Sequence, residues 1–347
     1  MAMKRDGLIT LTPRGLYCGQ GGFYIDPWKP VDKAIVTHAH SDHAYMDSRS
    51  YLVASEGERL ARIRLGDDAK ISGLEYGKTV SLNGVKVSLH PAGHILGSAQ
   101  VRIEHKGETW VVSGDYKLTP DPTCTSFEIV KCHNFITEAT FGLPIYRWPP
   151  PSQVFSDIDL WWQRNIELGK ASVIFAYSLG KAQRILSGVD PQLGPIFTHG
   201  AVERLTQAYR ESGVAIPKTT YAGEVNGKAA FAGSLIVAPP SAQGSNWLRR
   251  FGPQSTAFAS GWMIVRGARR QRAIDRGFVL SDHADWPELL SAIHTAEAEN
   301  VYVTHGFSEE VVRYLNDTGG NAYPLKTRFV GDDADMSDEG SDVPTGK

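Results

Sequence analysis

The chain has 347 residues, 41% of them hydrophobic, and its 36 basic and 38 acidic residues leave a formal net charge of −2. This composition excludes an intrinsically disordered protein, and the absence of an apolar run of roughly 18 residues or more excludes a membrane-spanning helix. An N-terminus without an apolar signal core and three cysteines without CxxC spacing argue against secretion and a disulfide framework, so we expect a cytoplasmic protein.

Residues 1–148 are predicted to consist mainly of β-strands. Short apolar runs separated by polar or glycine-containing turns favour strands over helices. They occur at residues 22–26, 33–37, 85–90, 99–105, 109–113 and 135–137. One amphipathic helix is predicted at residues 56–65. Three consecutive prolines at 149–151 mark a boundary, because proline can continue neither a helix nor a central strand.

Strands and helices alternate in residues 149–272, which predicts an α/β layer with parallel strands. Helices are expected at 154–168, 181–186 and 201–212, and strands at 172–177, 195–198 and 234–238. The same rhythm resumes in residues 273–330, with strands at 277–280 and 301–304 and helices at 287–298 and 309–315. Residues 331–347 hold six acids and one base, a net charge of −5, which predicts a disordered acidic tail.

The charge is distributed unevenly along the chain. Without the tail, 35 basic and 32 acidic residues remain, a net charge of +3. An arginine-rich stretch with interleaved tryptophan and phenylalanine is either a solvated face or a surface that follows nucleic-acid phosphates. Its main members are Arg249, Arg250, Arg266, Arg269, Arg270 and Arg272. Ser178 and Lys181, in a YSLGK segment between a predicted strand and helix, are weaker candidates for phosphate contacts.

Histidine and aspartate cluster in three short segments. THAHSDH supplies His38, His40, Asp42 and His43 directly after an apolar run, PAGHILGS supplies His94, and VVSGD supplies Asp115. Imidazole nitrogen and carboxylate oxygen are suitable ligands for Zn²⁺ and related divalent ions. The sequence therefore predicts a metal centre built at strand ends.

The order and spacing of these segments resemble the metallo-β-lactamase superfamily. The resemblance implies an αββα sandwich with two divalent metal ions, Zn²⁺ by preference and Mn²⁺ or Mg²⁺ as alternatives. It implies that one metal is held by His38, His40 and His94, and the second by Asp42 and His43. Asp115 would bridge the two ions, and Asp26 in FYID would be the structural aspartate of the family.

Three later segments resemble motifs A, B and C of the nucleic-acid-processing β-CASP branch. They are ITEATFG with Glu138, LSDHAD with His283, and VTHG with His305. The resemblance implies that His305 completes the second metal site and that His283 is the general acid, held charged and oriented by Glu138. Asp42 and Asp115 would also serve catalysis. The alternatives are a surface salt bridge for Glu138 and a helix-capping role for His283. Residues 149–272 would be the β-CASP insertion, and residues 1–148 and 273–330 the two parts of the metallo-β-lactamase domain.

The motifs together look most like bacterial ligase-associated DNA exonucleases. That resemblance implies a phosphodiesterase that degrades DNA from an end in DNA repair, using a hydroxide held between two metals. It also implies functional association with an ATP-dependent DNA ligase and a helicase. A histidine in motif C is associated in this branch with RNA substrates, so an RNA-processing ribonuclease is the alternative. An inactive DNA-end-binding subunit and a small-molecule hydrolase are further alternatives.

Overall fold

The computed structural model describes the chain over residues 7–265, 267 and 274–327. The chain forms two compact units, the first running to Arg147 and resuming at His283, the second comprising Trp148–Asp282. Several sequence predictions lie outside the described residues, namely those for Arg266, Arg269, Arg270, Arg272 and the tail at 331–347. Among the described helices, none has the length and apolar character needed to cross a membrane.

The first unit contains two β-sheets. The first sheet has six strands in the order β1-β2-β3-β4-β5-β6. They are β1 Thr10–Thr12, β2 Gly15–Cys18, β3 Phe23–Ile25, β4 Ala34–Ile35, β5 Tyr51–Ala54 and β6 Ile71–Leu74. The second sheet has seven strands in the order β19-β18-β11-β10-β9-β8-β7. They are β7 Thr79–Leu82, β8 Val85–Pro91, β9 Ala99–His105, β10 Glu108–Val112, β11 Asn134–Glu138, β18 Asn300–Thr304 and β19 Ala322–Pro324.

Alternating side chains place the two sheets face to face, with helices outside. In β10, Trp110 and Val112 join the core between the sheets, whereas Val111 faces the other way. Helix α1 (Glu58–Leu65) covers the first sheet. The unit's two later helices, Trp286–Thr295 and Ser308–Asp317, pack on the Val111 side of the second sheet. The predicted αββα sandwich is therefore confirmed.

Three strand ends of the second sheet share one edge. Strands β10, β11 and β18 are parallel neighbours, with Val112 opposite Ile136 and Glu138 opposite Thr304. Parallel strands bring the residues that follow them to the same edge of a sheet. This register places the segments containing Asp115, Glu138 and His305 side by side.

The second unit is a parallel sheet covered on both faces. Its strand order is β14-β13-β15-β12-β16-β17, and each neighbouring pair is parallel. The strands are β12 Ala171–Phe175, β13 Ile196–Thr198, β14 Thr220–Tyr221, β15 Leu235–Ala238, β16 Gln254–Ala259 and β17 Arg276–Phe278. Helices α2 (Pro151–Glu167), α3 (Lys181–Gly188) and α4 (Gly200–Glu211) cover one face. The inserted α/β layer expected from the sequence is confirmed.

Two local outcomes differ from the sequence predictions. Helix α2 begins at Pro151 rather than at 154, because proline fits the first helical position, where its missing N–H group has no bond to make. The strand predicted at 277–280 is present as Arg276–Phe278, but it pairs with β16 of the second unit. A short apolar strand does not reveal from its sequence which sheet it joins.

Candidate metal centre

The THAHSDH segment is a tight turn after β4. The backbone N–H groups of His43 and Ala44 both donate to the carbonyl oxygen of His40, at 3.2 and 2.8 Å. This turn brings His38, His40 and His43 to one side, with His38 and His43 buried. Three side chains that are close in sequence therefore converge at one point in space.

One candidate site combines three histidines and one aspartate. Nε2 of His38 lies 3.4 Å from Oδ2 of Asp115, and Nε2 of His94 lies 3.8 Å from the same oxygen. Nδ1 of His40 lies 3.1 Å from Nε2 of His38 and 3.2 Å from Nε2 of His94. Ligand atoms of these four residues lie within 4.8 Å of one another, so they could hold one metal ion.

A second candidate site lies beside the first. Nε2 of His43 is 3.5 Å from Oδ2 of Asp42 and 3.5 Å from Oδ2 of Asp115. His305 completes a group with His43 and Asp115, and the rings of the two histidines are 5.5 Å apart. Asp115 belongs to both groups, which is the arrangement expected of a bridging carboxylate.

Asp26 orients a candidate ligand without belonging to either group. Its Oδ2 accepts hydrogen bonds from Nδ1 of His43 at 2.7 Å and from Oγ1 of Thr37 at 2.6 Å. Its Oδ1 accepts from the Thr37 N–H at 2.8 Å. A carboxylate on Nδ1 fixes the ring so that Nε2 faces the centre, a common support for metal-binding histidines. The hydroxyl of Thr37 was not predicted from the sequence, because only the fold brings it to Asp26.

Buried polar atoms that lack hydrogen-bond partners indicate whether this centre suits a metal. Among the described residues, Oδ1 of Asp42, Nε2 of His43 and Oδ1 of Asp115 are buried without a hydrogen-bond partner. Buried polar atoms without partners are costly, and most native ones are satisfied. Carboxylate and imidazole donors suit Zn²⁺ and Mn²⁺, so the residues present fit two divalent ions.

The buried groups alter one another's pKa values. Burial, followed by the charge of His43, lowers the pKa of His38 well below its ordinary value. Burial alone would raise the pKa of Asp115, but His43 and His283 lower it well below the usual range. Burial would lower the pKa of His43, yet Asp42, Asp115 and Asp26 raise it well above 6.5. A neutral His38 and an ionised Asp115 are the forms that bind metals, and the same carboxylates would stabilise a cation beside His43.

Glu138 and His283 form a buried pair at the same edge. Nδ1 of His283 lies 3.0 Å from Oε2 and 3.1 Å from Oε1 of Glu138, which also accepts from the Tyr116 N–H at 2.9 Å. Glu138 is 2% exposed, so the alternative of a surface salt bridge is wrong. The helix-capping alternative for His283 is also wrong, because Oδ1 of Asp285 accepts from the Glu288 N–H and caps that helix. The ring of His283 lies 4.6 Å from that of His94.

Two glycines allow the loops that carry His94 and Asp115 to approach other parts of the candidate centre. Gly93, before His94, has a φ of +72°, and a Cβ there would lie 2.3 Å from the carbonyl oxygen of Lys117. Gly114, before Asp115, has a φ of +57°, and a Cβ there would lie 2.7 Å from Cβ of Thr37. A positive φ favours glycine, and the close approach requires it because a Cβ would meet these atoms. A cavity of about 40 Å³ lies at this edge, with Asp42, Asp115 and His305 in its lining.

Four of the candidate nucleic-acid contacts lie among the described residues of the second unit. Lys181 is 3% exposed, and its Nζ lies 3.0 Å from Oδ1 of Asp282 and 4.3 Å from the ring centre of Tyr177. Ser178 is also buried, whereas Arg249 and Arg250 are exposed. The role of all four in binding phosphate stays a prediction. Nδ1 of His199, which repeats the THG pattern of His305, accepts from the Ala201 N–H and caps α4.

No family model matches the chain, but several curated proteins do. It is 34% identical over 315 residues to a probable DNA ligase of Opitutus terrae, covering 90% of this chain and 30% of that protein. It is 28% identical over 167 residues to endoribonuclease YSH1 of Eremothecium gossypii, covering 47% of this chain and 20% of YSH1. It is 26% identical over 215 residues to an RNase J-like protein of Methanocaldococcus jannaschii, covering 52% of this chain and 50% of the relative. The chain thus spans less than a third of the first two relatives.

The fold also matches solved structures. A crystal structure of a protein of unknown function from Enterococcus faecalis superposes with a TM-score of 0.57 at 12% identity, covering 85% of this chain and 79% of that one. An αββα sandwich with histidines and aspartates gathered at one sheet edge is the architecture of the metallo-β-lactamase superfamily. The inserted α/β unit and the relatives narrow the class further. In its fold and in its similarity to these relatives, the chain resembles the β-CASP branch of that superfamily.

Proposed function

We propose that the chain is a metal-dependent phosphodiesterase that degrades DNA from an end. One observation carries the proposal. Seven candidate ligands gather at the sheet edge that also holds the buried Glu138–His283 pair. They are His38, His40, Asp42, His43, His94, Asp115 and His305. A metal centre with an adjacent proton donor is what hydrolysis of a phosphodiester requires, because negative charge and a poor leaving oxygen are its two obstacles.

The residues divide this work between them. His38, His40, His94 and Asp115 would hold one divalent ion, and Asp42, His43, Asp115 and His305 the other, with Zn²⁺ preferred over Mn²⁺ or Mg²⁺. Bound there, the two ions supply Lewis acidity to the phosphoryl oxygens and to the attacking water. Asp115 offsets the repulsion between the two positive charges.

Glu138 and His283 serve the leaving group. Because Glu138 occupies the side of Nδ1, the remaining nitrogen Nε2 is the atom from which His283 delivers a proton to the leaving oxygen. Glu138 itself is held by the Tyr116 N–H, so the histidine keeps one orientation. General acid catalysis of this kind contributes roughly 100- to 10,000-fold to a rate.

The choice of DNA is supported by the similarity to a probable DNA ligase over 90% of the chain. RNA is the second candidate, because His305 stands at the position associated with RNA substrates and two relatives are described as an endoribonuclease and an RNase J-like protein. Exposed Arg249 and Arg250, with the arginines outside the described residues, would contact phosphates of either polymer.

We place the chain in the cytoplasm, in a DNA repair setting that also uses an ATP-dependent DNA ligase and a helicase. The ligase is favoured because the aligned region makes up 30% of a chain described as a probable DNA ligase. The helicase is included because the sequence motifs resemble those of ligase-associated DNA exonucleases. This setting is tested by purifying a tagged chain from its own cells and identifying the proteins that co-purify. Recovery of the chain with neither a ligase nor a helicase would count against it.

The central test digests matched DNA and RNA labelled at the 5′ or 3′ end, single- and double-stranded, with Zn²⁺, Mn²⁺ or Mg²⁺. We expect stepwise shortening of DNA from one end by the wild type and none by Asp115→Ala. His105→Ala is the matched control. His105 is the last residue of β9, whereas Ala99, at the other end of that strand, donates its N–H to the Thr37 carbonyl next to the centre. Cleavage by Asp115→Ala at the wild-type rate would overturn the mechanism, and cleavage of RNA alone would replace DNA as the substrate.

A further inference from the structure

Glu288 binds the loop that follows Asp115. It lies in the first turn of helix α5 (Trp286–Thr295), three residues after the capping Asp285. Its Oε1 accepts from the Thr119 N–H at 2.7 Å and from the Thr119 hydroxyl, and its Oε2 lies 3.5 Å from Nζ of Lys117. The Asp-x-x-Glu spacing predicts a capping box. The fold instead directs this carboxylate to a loop about 170 residues away.

The same loop is attached to the general-acid pair. The Tyr116 N–H donates to Oε1 of Glu138 at 2.9 Å, and the Tyr116 carbonyl accepts from the Ala284 N–H at 2.7 Å. The Lys117 N–H donates to the Ala92 carbonyl at 3.0 Å, close to His94. Residues 115–119 thus connect a candidate metal ligand, the partner of His283 and the residue after His283.

Burial of the Lys117–Glu288 pair needs a reason other than stability. The side chain of Lys117 is 2% exposed and that of Glu288 14% exposed. Desolvation of two charges often cancels their attraction, so an apolar pair would stabilise the fold about as well. An apolar pair would not provide an acceptor for the N–H and hydroxyl groups of Thr119. The pair therefore fixes the position of the loop.

We propose that Glu288 is a positioning residue that sets His283 against the metal centre through the Tyr116–Thr119 loop. This inference rests on the proposed function and deepens it. Without Glu288, the loop loses its hydrogen bonds from Thr119 to α5, whereas the Tyr116 N–H and carbonyl still join it to Glu138 and Ala284. The protonation of the leaving oxygen is then impaired, while the ligand groups themselves are intact.

The test compares substrates that differ in their need for a proton. Labelled DNA or RNA, whichever the wild type cleaves, has an alkoxide leaving group, whereas bis(p-nitrophenyl) phosphate releases a phenolate that leaves without protonation. We expect Glu288→Ala to lower kcat on nucleic acid about 100-fold, the cost of a misplaced catalytic group, with little change in KM. Its turnover of the phenyl ester and its bound metal should stay within about threefold of wild type.

Two further variants make the result specific. Glu288→Gln combined with Lys117→Met keeps an acceptor for Thr119 and removes both charges of the pair, so it should recover most of the activity. Glu104→Gln removes an acid that pairs with Lys86 and Arg102 on the solvent side of β9, and it should behave as wild type. Equal losses on both substrates, or a Glu288→Ala protein indistinguishable from Glu104→Gln, would overturn the inference. A wild type that cleaves neither DNA nor RNA would instead overturn the proposed function.

Discussion

Alanine at position 93 would test whether the ligand-bearing loops need their close approach. Gly93 has a φ of +72°, and an added Cβ would lie 2.3 Å from the Lys117 carbonyl oxygen and 2.9 Å from the Phe127 backbone nitrogen. Both are backbone atoms, so no side-chain rotation relieves the contact. The loop with Lys117 must move, and it is the loop that carries Asp115.

Gly84 provides the matched control. It has a φ of +81° and open space within 4 Å of its Cβ position, so alanine there meets only the backbone strain. That strain costs about 1–2 kcal/mol. At Gly93 the same strain is joined by overpacking of about 1–3 kcal/mol, for a total of about 2–5 kcal/mol. At about 2–4 °C per kcal/mol, the expected decreases in Tm are about 2–8 °C for Gly84→Ala and about 4–20 °C for Gly93→Ala.

The assay follows thermal unfolding by circular dichroism and, at a temperature where both variants are folded, cleavage of labelled DNA. We expect Gly84→Ala to cleave at the wild-type rate and Gly93→Ala about 100-fold more slowly, because a displacement near 1 Å moves His94 or Asp115. Equal decreases in Tm for the two variants would refute the steric argument. Full activity of Gly93→Ala would refute the link between the loop contact and the centre.

Three other changes address separate parts of the molecule. Asp26→Asn should weaken metal binding about 10- to 100-fold by releasing His43, and chelator competition showing unchanged affinity would contradict this role. Glu138→Gln should slow DNA cleavage about 100-fold or more at unchanged metal content, whereas loss of the metal would show that Glu138 supports the centre instead of His283. Deletion of residues 331–347 removes a net charge of −5 and should tighten DNA binding at low salt, measured by fluorescence anisotropy, while a large loss of cleavage would show that the tail contributes to activity.

The sequence was most informative where ligands follow strands directly. Asp115 comes after β10 and His305 after β18. The parallel register of β10, β11 and β18 places these two residues at the same edge of the sheet. His38, His40 and His43 lie within one turn, so their proximity needs no long-range information. Local spacing therefore accounts for the three histidines of one turn, and the strand order accounts for Asp115 and His305, of which His305 was assigned from the sequence through the family resemblance.

Contacts between distant loops could not be predicted in this way. Lys181 reads as a phosphate contact at a helix start, yet its charge faces Asp282, about 100 positions later in the chain. Glu288 was not singled out from the sequence, yet its carboxylate accepts from the Thr119 N–H. In both cases the local pattern specifies a polar group at a helix end, and only the tertiary fold determines which partner lies within its reach.

The glycines connect these two observations. A ligand at a strand end is placed by the sheet, but the distance between two such ligands depends on how closely their loops pack. Gly93 lets the His94 loop lie against the Lys117 carbonyl, and the Lys117 side chain in turn meets Glu288. The contact of Gly93 with the Lys117 carbonyl and the Lys117–Glu288 ion pair thus both constrain the loop that contains Lys117. Because the loop also bonds Glu138 and Ala284, it joins the candidate metal ligands to His283, and we expect a displacement of one to displace the other.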